Sequence, residues 1–262
     1  MTFAVLGRWL GDSRRALVGW SLALTFVVLM YLPLFPSMNE SGVLQESFDS
    51  LPPDLADALG MSAMSDGAGY AQSTVFGLLG MLLLTVAAIG AGARAVAGDE
   101  ERGGLELTIA HAVTRRRVVL ERAAAITLVV LGLAALVGIV AALVEARVDL
   151  GLTLGGLVGG TLAMAGLALV HGAVALAVGA ATGRRATALS AAAAVAVVGY
   201  LANTLGPRLA DGVQAASPFH WAYGSDPLRN GPDLAGLGLL ALTVVALVGL
   251  AVVLLERRDV GV

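Results

Sequence analysis

The chain has 262 residues with a net charge of −3, and only 13% of its residues are charged. Soluble globular proteins carry about a quarter charged residues, so this composition, with a mean hydropathy of +0.86, excludes an ordinary soluble domain and indicates a polytopic membrane protein. Cysteine is absent and the arginines are scattered in small groups, which excludes a disulfide framework, a thiolate metal site and a nucleic-acid-binding patch.

The first predicted element is a short amphipathic helix over residues 1–15. At helical periodicity Phe3, Leu6 and Leu10 share one side, and Arg8 lies opposite them. We expect this segment to lie in the inner membrane interface. A ragged extension of the first membrane span is the alternative.

Six apolar runs are long enough to span a membrane. A helix needs about 20 apolar residues to cross the ~30 Å hydrocarbon core. The runs cover residues of about 16–35, 70–97, 123–144, 152–182, 187–205 and 234–255. They predict an all-α fold in which residues 1–262 form a single transmembrane domain.

The distribution of arginine predicts the orientation of the spans. Counting through the six crossings puts 13 arginines on the side of the N terminus and leaves only Arg147, Arg208 and Arg229 on the other side. Because basic residues concentrate in cytoplasmic loops, we expect a multi-pass protein of the plasma membrane with both termini in the cytoplasm.

Two outer loops contain recognisable patterns. Residues 51–60, Leu-Pro-Pro-Asp-Leu-Ala-Asp-Ala-Leu-Gly, combine proline near the start with a terminal glycine, which predicts a short amphipathic helix on the outer membrane face. Residues 217–228 hold Phe219, Trp221 and Tyr223 between prolines and a glycine. Such aromatic rings favour the headgroup region of the membrane, and substrate contact is the alternative.

Small residues recur in the fourth run. Glycines follow one another at four-residue spacing at Gly151, Gly155 and Gly159, and again at Gly156 and Gly160. This spacing lets helix backbones approach closely in lipid. It is equally consistent with a subunit interface and with packing inside the bundle.

The sequence contains no catalytic set. Without the pattern G-x-x-x-x-G-K-[ST], and without any lysine, the chain has no phosphate-binding loop with which to hydrolyse ATP. The three histidines lie in different regions, and neither H-E-x-x-H nor G-x-S-x-G occurs. We therefore expect no catalytic residue and no metal site.

Polar side chains within the runs are candidates for lining a transport path. Gln72 and Thr74 lie near the outer end of the second run, and Asn203 lies near the outer end of the fifth. They could face a polar cavity or make ordinary hydrogen bonds between helices. His171 is the one ionisable residue deep in a run, and we expect a structural role for it rather than a functional one.

Charged residues concentrate at residues 98–122, between the second and third runs. An acidic group at residues 99–101 precedes the Gly103-Gly104 break, and Thr114 is a suitable N-cap for the next long helix. A loop of solvated charges is one interpretation. The acidic group has no role in setting membrane orientation, however, and Leu105 and Leu107 would be exposed unless a partner covers them. We therefore favour a segment that docks on a cytoplasmic partner.

This segment carries a family resemblance. The sequence Glu-Arg-Gly-Gly-Leu-Glu-Leu at 101–107, followed by Thr-Arg-Arg-Arg at 114–117, resembles the E-x-G-T-L-E…S-R-x-x signature of ABC-2 type permeases, the membrane subunits of ATP-binding-cassette transporters, which are mostly exporters. Gly104 stands where the pattern usually has threonine. Ser-Pro-Phe at 217–219 and Arg-Arg-Asp at 257–259 are also similar to bacterial and archaeal members, and the resemblance covers the whole chain.

The resemblance implies an ABC-2 type permease fold and a set of partners. The permease would pair with a second copy or a homologue, and it would dock on a separate ABC ATPase subunit that binds ATP and Mg, so that no cofactor is expected on this chain. The implied contacts with the ATPase come from the second cytoplasmic segment and from the turn between the fourth and fifth spans. The implied coupling residues are Glu100, Glu101, Gly103, Gly104, Leu105, Glu106, Leu107, Arg115, Arg116 and Arg117, together with Arg184 and Arg185 in the turn.

The implied transport path opens between the second and fifth spans of the two copies. A largely apolar interior suits hydrophobic or amphiphilic substrates, although the same composition also serves subunits that export peptides or assist metal-cofactor assembly. Two other classes are weaker alternatives. An ion-coupled secondary transporter usually has acidic residues in mid-span or two similar halves, and an intramembrane enzyme needs converging polar groups, and the sequence has neither feature.

Overall fold

The computed structural model describes Gly11 and residues 14–41, 66–103, 114–210 and 212–258. These residues form helices and connecting turns without a strand, and six helical segments are long and apolar enough to cross a membrane. The prediction of an all-α polytopic membrane protein with six spans is confirmed. The predicted helix at 51–60 and most of the predicted helix at 1–15 lie outside the described residues.

Nine helices are numbered here in chain order over the described residues. They are α1 (Arg14–Tyr31), α2 (Leu34–Glu40), α3 (Gly67–Gly98), α4 (Arg115–Val148), α5 (Leu154–Thr182), α6 (Arg185–Leu209), α7 (Pro218–Tyr223), α8 (Pro227–Asn230) and α9 (Leu234–Glu256). Helices α1 and α2 follow each other closely and together make the first candidate span. The short helices α7 and α8 connect α6 to α9.

Helix α4 begins well before its apolar run. The Thr114 hydroxyl accepts a hydrogen bond from the Arg117 N–H at 3.3 Å, so the predicted N-cap at Thr114 is confirmed. The helix has 34 residues, more than the ~20 needed to cross the hydrocarbon core. The helix is therefore longer than one crossing requires, and its first turn carries Arg115, Arg116 and Arg117.

Interhelical contacts define two ends of the bundle. At one end the Tyr70 hydroxyl donates to the Tyr31 carbonyl at 3.3 Å, so that α1 finishes where α3 begins. At the other end the Arg115 side chain donates to the Leu255 carbonyl at 3.2 Å, so that α4 begins where α9 finishes. We call this second end of the bundle the arginine-rich end. There α3, α5 and α9 finish and α4 and α6 begin.

Helix α5 is the centre of the bundle. It is the most buried of the six candidate spans and packs on α3, α4, α6 and α9. Its neighbours approach closely because its contact positions are small. A methyl group at Gly156 would collide with the Leu228 carbonyl oxygen, and one at Gly92 of α3 would collide with the Gly172 carbonyl oxygen. Of the two interpretations of the glycine repeat, packing inside the bundle is confirmed for Gly156.

Helix α3 contains two π-helical segments, Gln72–Leu79 and Arg94–Gly98. Each widens the helix by one residue per turn. In the first, a methyl group at Gly77 would lie 2.6 Å from the Gln72 carbonyl oxygen, so glycine is needed to close the wide turn. Such segments occur mostly as local insertions, frequently at functional sites.

The loop before the last span enters the bundle. Phe219 of α7 is only 5% exposed, and its ring centroid lies 5.7 Å from that of His171, near the middle of α5. The preference for the headgroup region is therefore wrong for Phe219. The serine-proline start of α7 turns the chain inward: the Ser217 hydroxyl accepts from the Phe219 N–H and donates to the Gly199 carbonyl of α6 at 2.7 Å.

Candidate functional site

The two segments predicted to couple to an ATPase lie side by side at the arginine-rich end. The Arg185 N–H donates to the Glu101 carboxylate at 2.8 Å, which joins the end of α3 to the start of α6. Between α5 and α6 the chain turns through Gly183, whose φ of +64° lies in the left-handed region that favours glycine. Residues far apart in the sequence are thereby brought onto one surface.

Glu100 is held inside this surface. Its carboxylate forms an ion pair with Arg258, and both side chains are about one-fifth exposed, at 21% and 23%. Arg258 also donates to the Ala180 carbonyl of α5 at 3.0 Å. A side chain at position 183 would collide with the pair, which is a second reason for Gly183. Glu100 therefore ties together α3, α5 and the end of α9.

The other charged groups of the acidic cluster are also used within the chain. Asp99 pairs with Arg122 of α4, a side chain that is almost completely buried, and with Arg102 at 2.7 Å. Arg115 donates to the main-chain carbonyls of Leu255 and Arg258. The end of α3, the start of α4 and the chain after α9 are thus linked by charge-assisted hydrogen bonds.

A smaller set of the predicted coupling residues faces outward. Glu101 and Gly103 are exposed at the end of α3, and Gly103 has a φ of +69°, as the predicted glycine break requires. The exposed arginines of the two segments are Arg116, Arg117, Arg184 and Arg185. Gly104, Leu105, Glu106 and Leu107 lie outside the described residues. We call the exposed set, Glu101, Arg116, Arg117, Arg184 and Arg185, the coupling surface.

The three predicted path-lining residues are not brought together. Gln72 lies in a π-helical segment that packs on α1 and α5, and its side-chain oxygen is buried without a hydrogen-bond partner. The Thr74 hydroxyl donates to the Tyr70 carbonyl of its own helix at 2.7 Å. Asn203 lies on α6 and is half-buried. Of these three residues, Gln72 is the one with a buried polar atom that lacks a hydrogen-bond partner.

His171 makes one hydrogen bond, to its own helix. Its Nδ1 lies 2.8 Å from the Leu167 carbonyl oxygen, which identifies the N–H tautomer at Nδ1, and Nε2 is buried without a partner. The side chain is fully buried against Phe219, and the Tyr200 ring meets the other side of Phe219 edge-on at 5.7 Å. This polar side chain closes an aromatic cluster between α5, α6 and α7.

An ion-pair cluster at the opposite end of the bundle was not predicted from the sequence. Arg229 of α8 binds Asp66 at 2.9 Å and Asp226 at 2.9 Å. Its guanidinium holds the pKa of the Asp66 carboxyl below the usual value, and the same carboxylate raises the pKa of Arg229. Asp66 also caps α3 by accepting from the Gly69 N–H at 2.7 Å. The N-cap could have been predicted from the sequence Asp66-Gly67. The pairing of Asp66 with Arg229 could not, because the two residues are far apart in the sequence.

No group of three metal-ligating side chains occurs within the described ranges. Comparison with known families gives one match. A family model described as "Multidrug efflux system permease Rv1217c, C-terminal domain" matches residues 6–258. No curated protein matches the chain. The matched range contains all six candidate spans and the coupling surface.

Proposed function

The chain belongs to the family of the multidrug efflux system permease Rv1217c, C-terminal domain, and on that premise we propose that it is the permease subunit of an ATP-binding-cassette exporter. Its membrane path would be energised by a separate ATPase subunit that binds ATP and Mg. The arginine-rich end would face the cytoplasm, in line with the excess of arginine there.

The adjacency of the two coupling segments is the observation that carries this proposal. Glu101 at the end of α3 contacts the first residue of α6, so one docked partner would touch both helices at once. The coupling surface offers arginines from the first turn of α4 and from the start of α6, at one end of the bundle. Charged surfaces of this kind favour specific docking without the permanence of a buried apolar interface.

The surfaces of α3 and α6 are consistent with a transport path between two copies of the permease. Ile89 and Ala93 of α3 pack against Ala188 and Ala192 of α6 in a small cluster near the arginine-rich end. Further along, apolar side chains of the same two helices are exposed, including Val86 and Val195 at 47% and 42%. We infer that a second permease copy faces these surfaces, and that a hydrophobic or amphiphilic substrate crosses between them.

Retention of the ATPase tests the coupling surface. The permease would be purified with a candidate ABC ATPase subunit, and charge reversal of Arg116→Glu with Arg184→Glu would reduce the retained ATPase at least tenfold. The control is Arg147→Glu with Arg208→Glu, the same charge change on exposed arginines at the opposite end. Equal retention by both double variants would show that the ATPase binds elsewhere.

Transport by the reconstituted complex tests the export step. Proteoliposomes would be given a fluorescent lipophilic cation, with ATP in one arm and a proton or sodium gradient without ATP in the other. We expect transport only with ATP, and none with an ATPase subunit that cannot hydrolyse it. Transport driven by the ion gradient alone would favour a secondary transporter instead.

A further inference from the structure

Two arginines from different helices lie together at the arginine-rich end without a carboxylate partner. The side-chain stems of Arg94 on α3 and Arg185 on α6 both pass Gly98, where a methyl group would lie 3.5 Å from Arg94 Cγ and 3.7 Å from Arg185 Cδ. No ion pair joins either guanidinium to an acidic side chain in the described part of the chain.

The nearby carboxylates of the described residues bind other groups, and one carboxylate oxygen of Glu100, Oε2, is buried without a partner. Glu100 is paired with Arg258, and Asp99 is paired with Arg122 and Arg102. Glu101 accepts the main-chain N–H of Arg185 rather than a guanidinium N–H. Arg94 is half-buried and Arg185 is exposed, and like charges on side chains that meet in this way repel each other unless an anion neutralises them. Among the described residues, both guanidinium groups are therefore left without an ion pair.

The direction of the Arg94 side chain indicates where that anion comes from. Its Nε donates to the Gly90 carbonyl at 3.1 Å, one turn back along α3, so the guanidinium is directed away from the end of the helix and toward the bilayer. The residues next along the two helices are apolar, namely Ala93 and Ala188. Arg94 therefore lies on the membrane side of the coupling surface.

We propose that Arg94 and Arg185 bind the phosphate of an anionic phospholipid of the inner leaflet. Two guanidinium groups supply enough N–H donors to hold the phosphate oxygens in pairs, and the acyl chains would lie along the apolar sides of α3 and α6. Basic sites between helices on the cytoplasmic side of a membrane commonly bind anionic headgroups. The site relies on the proposed orientation but not on the ATPase or on any transported substrate.

Native mass spectrometry tests the site on the full chain. The detergent-solubilised protein would be mixed with equal amounts of phosphatidylglycerol and phosphatidylcholine carrying the same acyl chains, and the ratio of the two bound lipids would be measured. We expect a clear excess of phosphatidylglycerol. Arg94→Gln with Arg185→Gln should lower that ratio by about fivefold for each arginine removed. The control, Arg147→Gln with Arg208→Gln, removes two exposed arginines at the opposite end and should leave the ratio unchanged.

Any of the following three outcomes would overturn the proposal. An equal loss in both double variants would mean that the lipid responds only to total charge. Displacement of phosphatidylglycerol by millimolar inorganic phosphate would identify a small-anion site. A loss of ATPase retention with an unchanged lipid ratio would mean that the arginines contact the ATPase. If the double variant does not fold, Arg185→Gln alone, at an exposed side chain, should still lower the ratio about fivefold.

Discussion

The Tyr223 hydroxyl donates a hydrogen bond to the Phe76 carbonyl oxygen at 2.6 Å. The contact joins the short helix α7 to the first π-helical segment of α3. Burial raises the pKa of the Tyr223 phenol, which keeps the hydroxyl protonated and able to donate. The loop between α6 and α9 thus supports the backbone of α3 where its turns are widest.

Tyr223→Phe should destabilise the protein by about 1–2 kcal/mol, because it leaves a buried carbonyl without its donor. Thermal unfolding in detergent measures the change. The matched control is Tyr200→Phe, since the Tyr200 hydroxyl makes no hydrogen bond in the described structure and its ring would keep the edge contact with Phe219. Equal stability of the two variants would contradict a supporting role for Tyr223.

Gly92→Ala should destabilise the bundle by about 1–3 kcal/mol, because the new methyl group would force α3 away from the Gly172 carbonyl of α5. Gly90→Ala is the control on the same helix, where nothing lies within 4 Å of the added carbon. Alanine favours a helix over glycine, so this control should be neutral or slightly stabilising. Thermal unfolding of the pair measures the difference, and an equal loss in both would disprove the close approach of α3 and α5.

Glu100→Gln and Arg258→Gln should each cost about 1.5–3 kcal/mol, as expected for a hydrogen bond between charged groups that are mostly buried. The double variant should lose less than the sum of the two, because the second substitution removes a charge that is already unpaired. Arg257→Gln, at the exposed neighbour, is the control. Additive losses in the cycle would show that Glu100 and Arg258 do not stabilise each other.

Acid should weaken the opposite end of the bundle through Asp66. Because Arg229 lowers the folded-state pKa of Asp66, the ion pair contributes stability that is fully present above the unfolded pKa of about 4 and is lost as the pH falls through the folded pKa. Asp66→Asn removes the charge and keeps a good N-cap. The melting temperature of this variant should therefore be lower than that of the parent at pH 7, and the difference should shrink below pH 4.

A second aspartate supplies the control for the acid experiment. Asp149 has no arginine partner in the described structure, and its left-handed φ of +51° is one that asparagine tolerates. Asp149→Asn should therefore leave the acid response as it is in the parent. A pH-independent difference between the parent and Asp66→Asn would mean that the Asp66 ion pair adds no stability.

The six spans could be predicted from the sequence because insertion depends on the summed hydropathy of about 20 consecutive residues. The N-cap at Thr114 could also be predicted, because it depends on a hydrogen bond between residues only three apart in the sequence. The position of Phe219 could not be predicted. Its neighbours, proline and other aromatic residues, are as typical of a headgroup anchor as of a segment that enters the bundle. Contact with His171 depends on how α5, α6 and α7 pack, which no local pattern records.

The acidic cluster illustrates the same limit. Its charges predict a docking surface, and of its three acidic residues only Glu101 is exposed. The partners of Asp99 and Glu100 are Arg122 and Arg258. These arginines reach the end of α3 only because α4 begins and α9 finishes there. Spacing along the chain gives no sign of these pairs. Charge runs in a membrane protein therefore identify a region more reliably than they identify the residues that face a partner.

The contact between α6 and its neighbours has a mechanical consequence. Four of the five buried side chains in this contact, Ala93, Ala175, Ala188 and Ala192, have no rotamers, so a shift of α6 along α3 and α5 would unlock few interdigitated side chains, Ile89 among them. The ion pairs of Asp99 and Glu100 do not involve α6 and would remain intact while it moves, whereas the hydrogen bond from the Arg185 N–H to Glu101 would have to break.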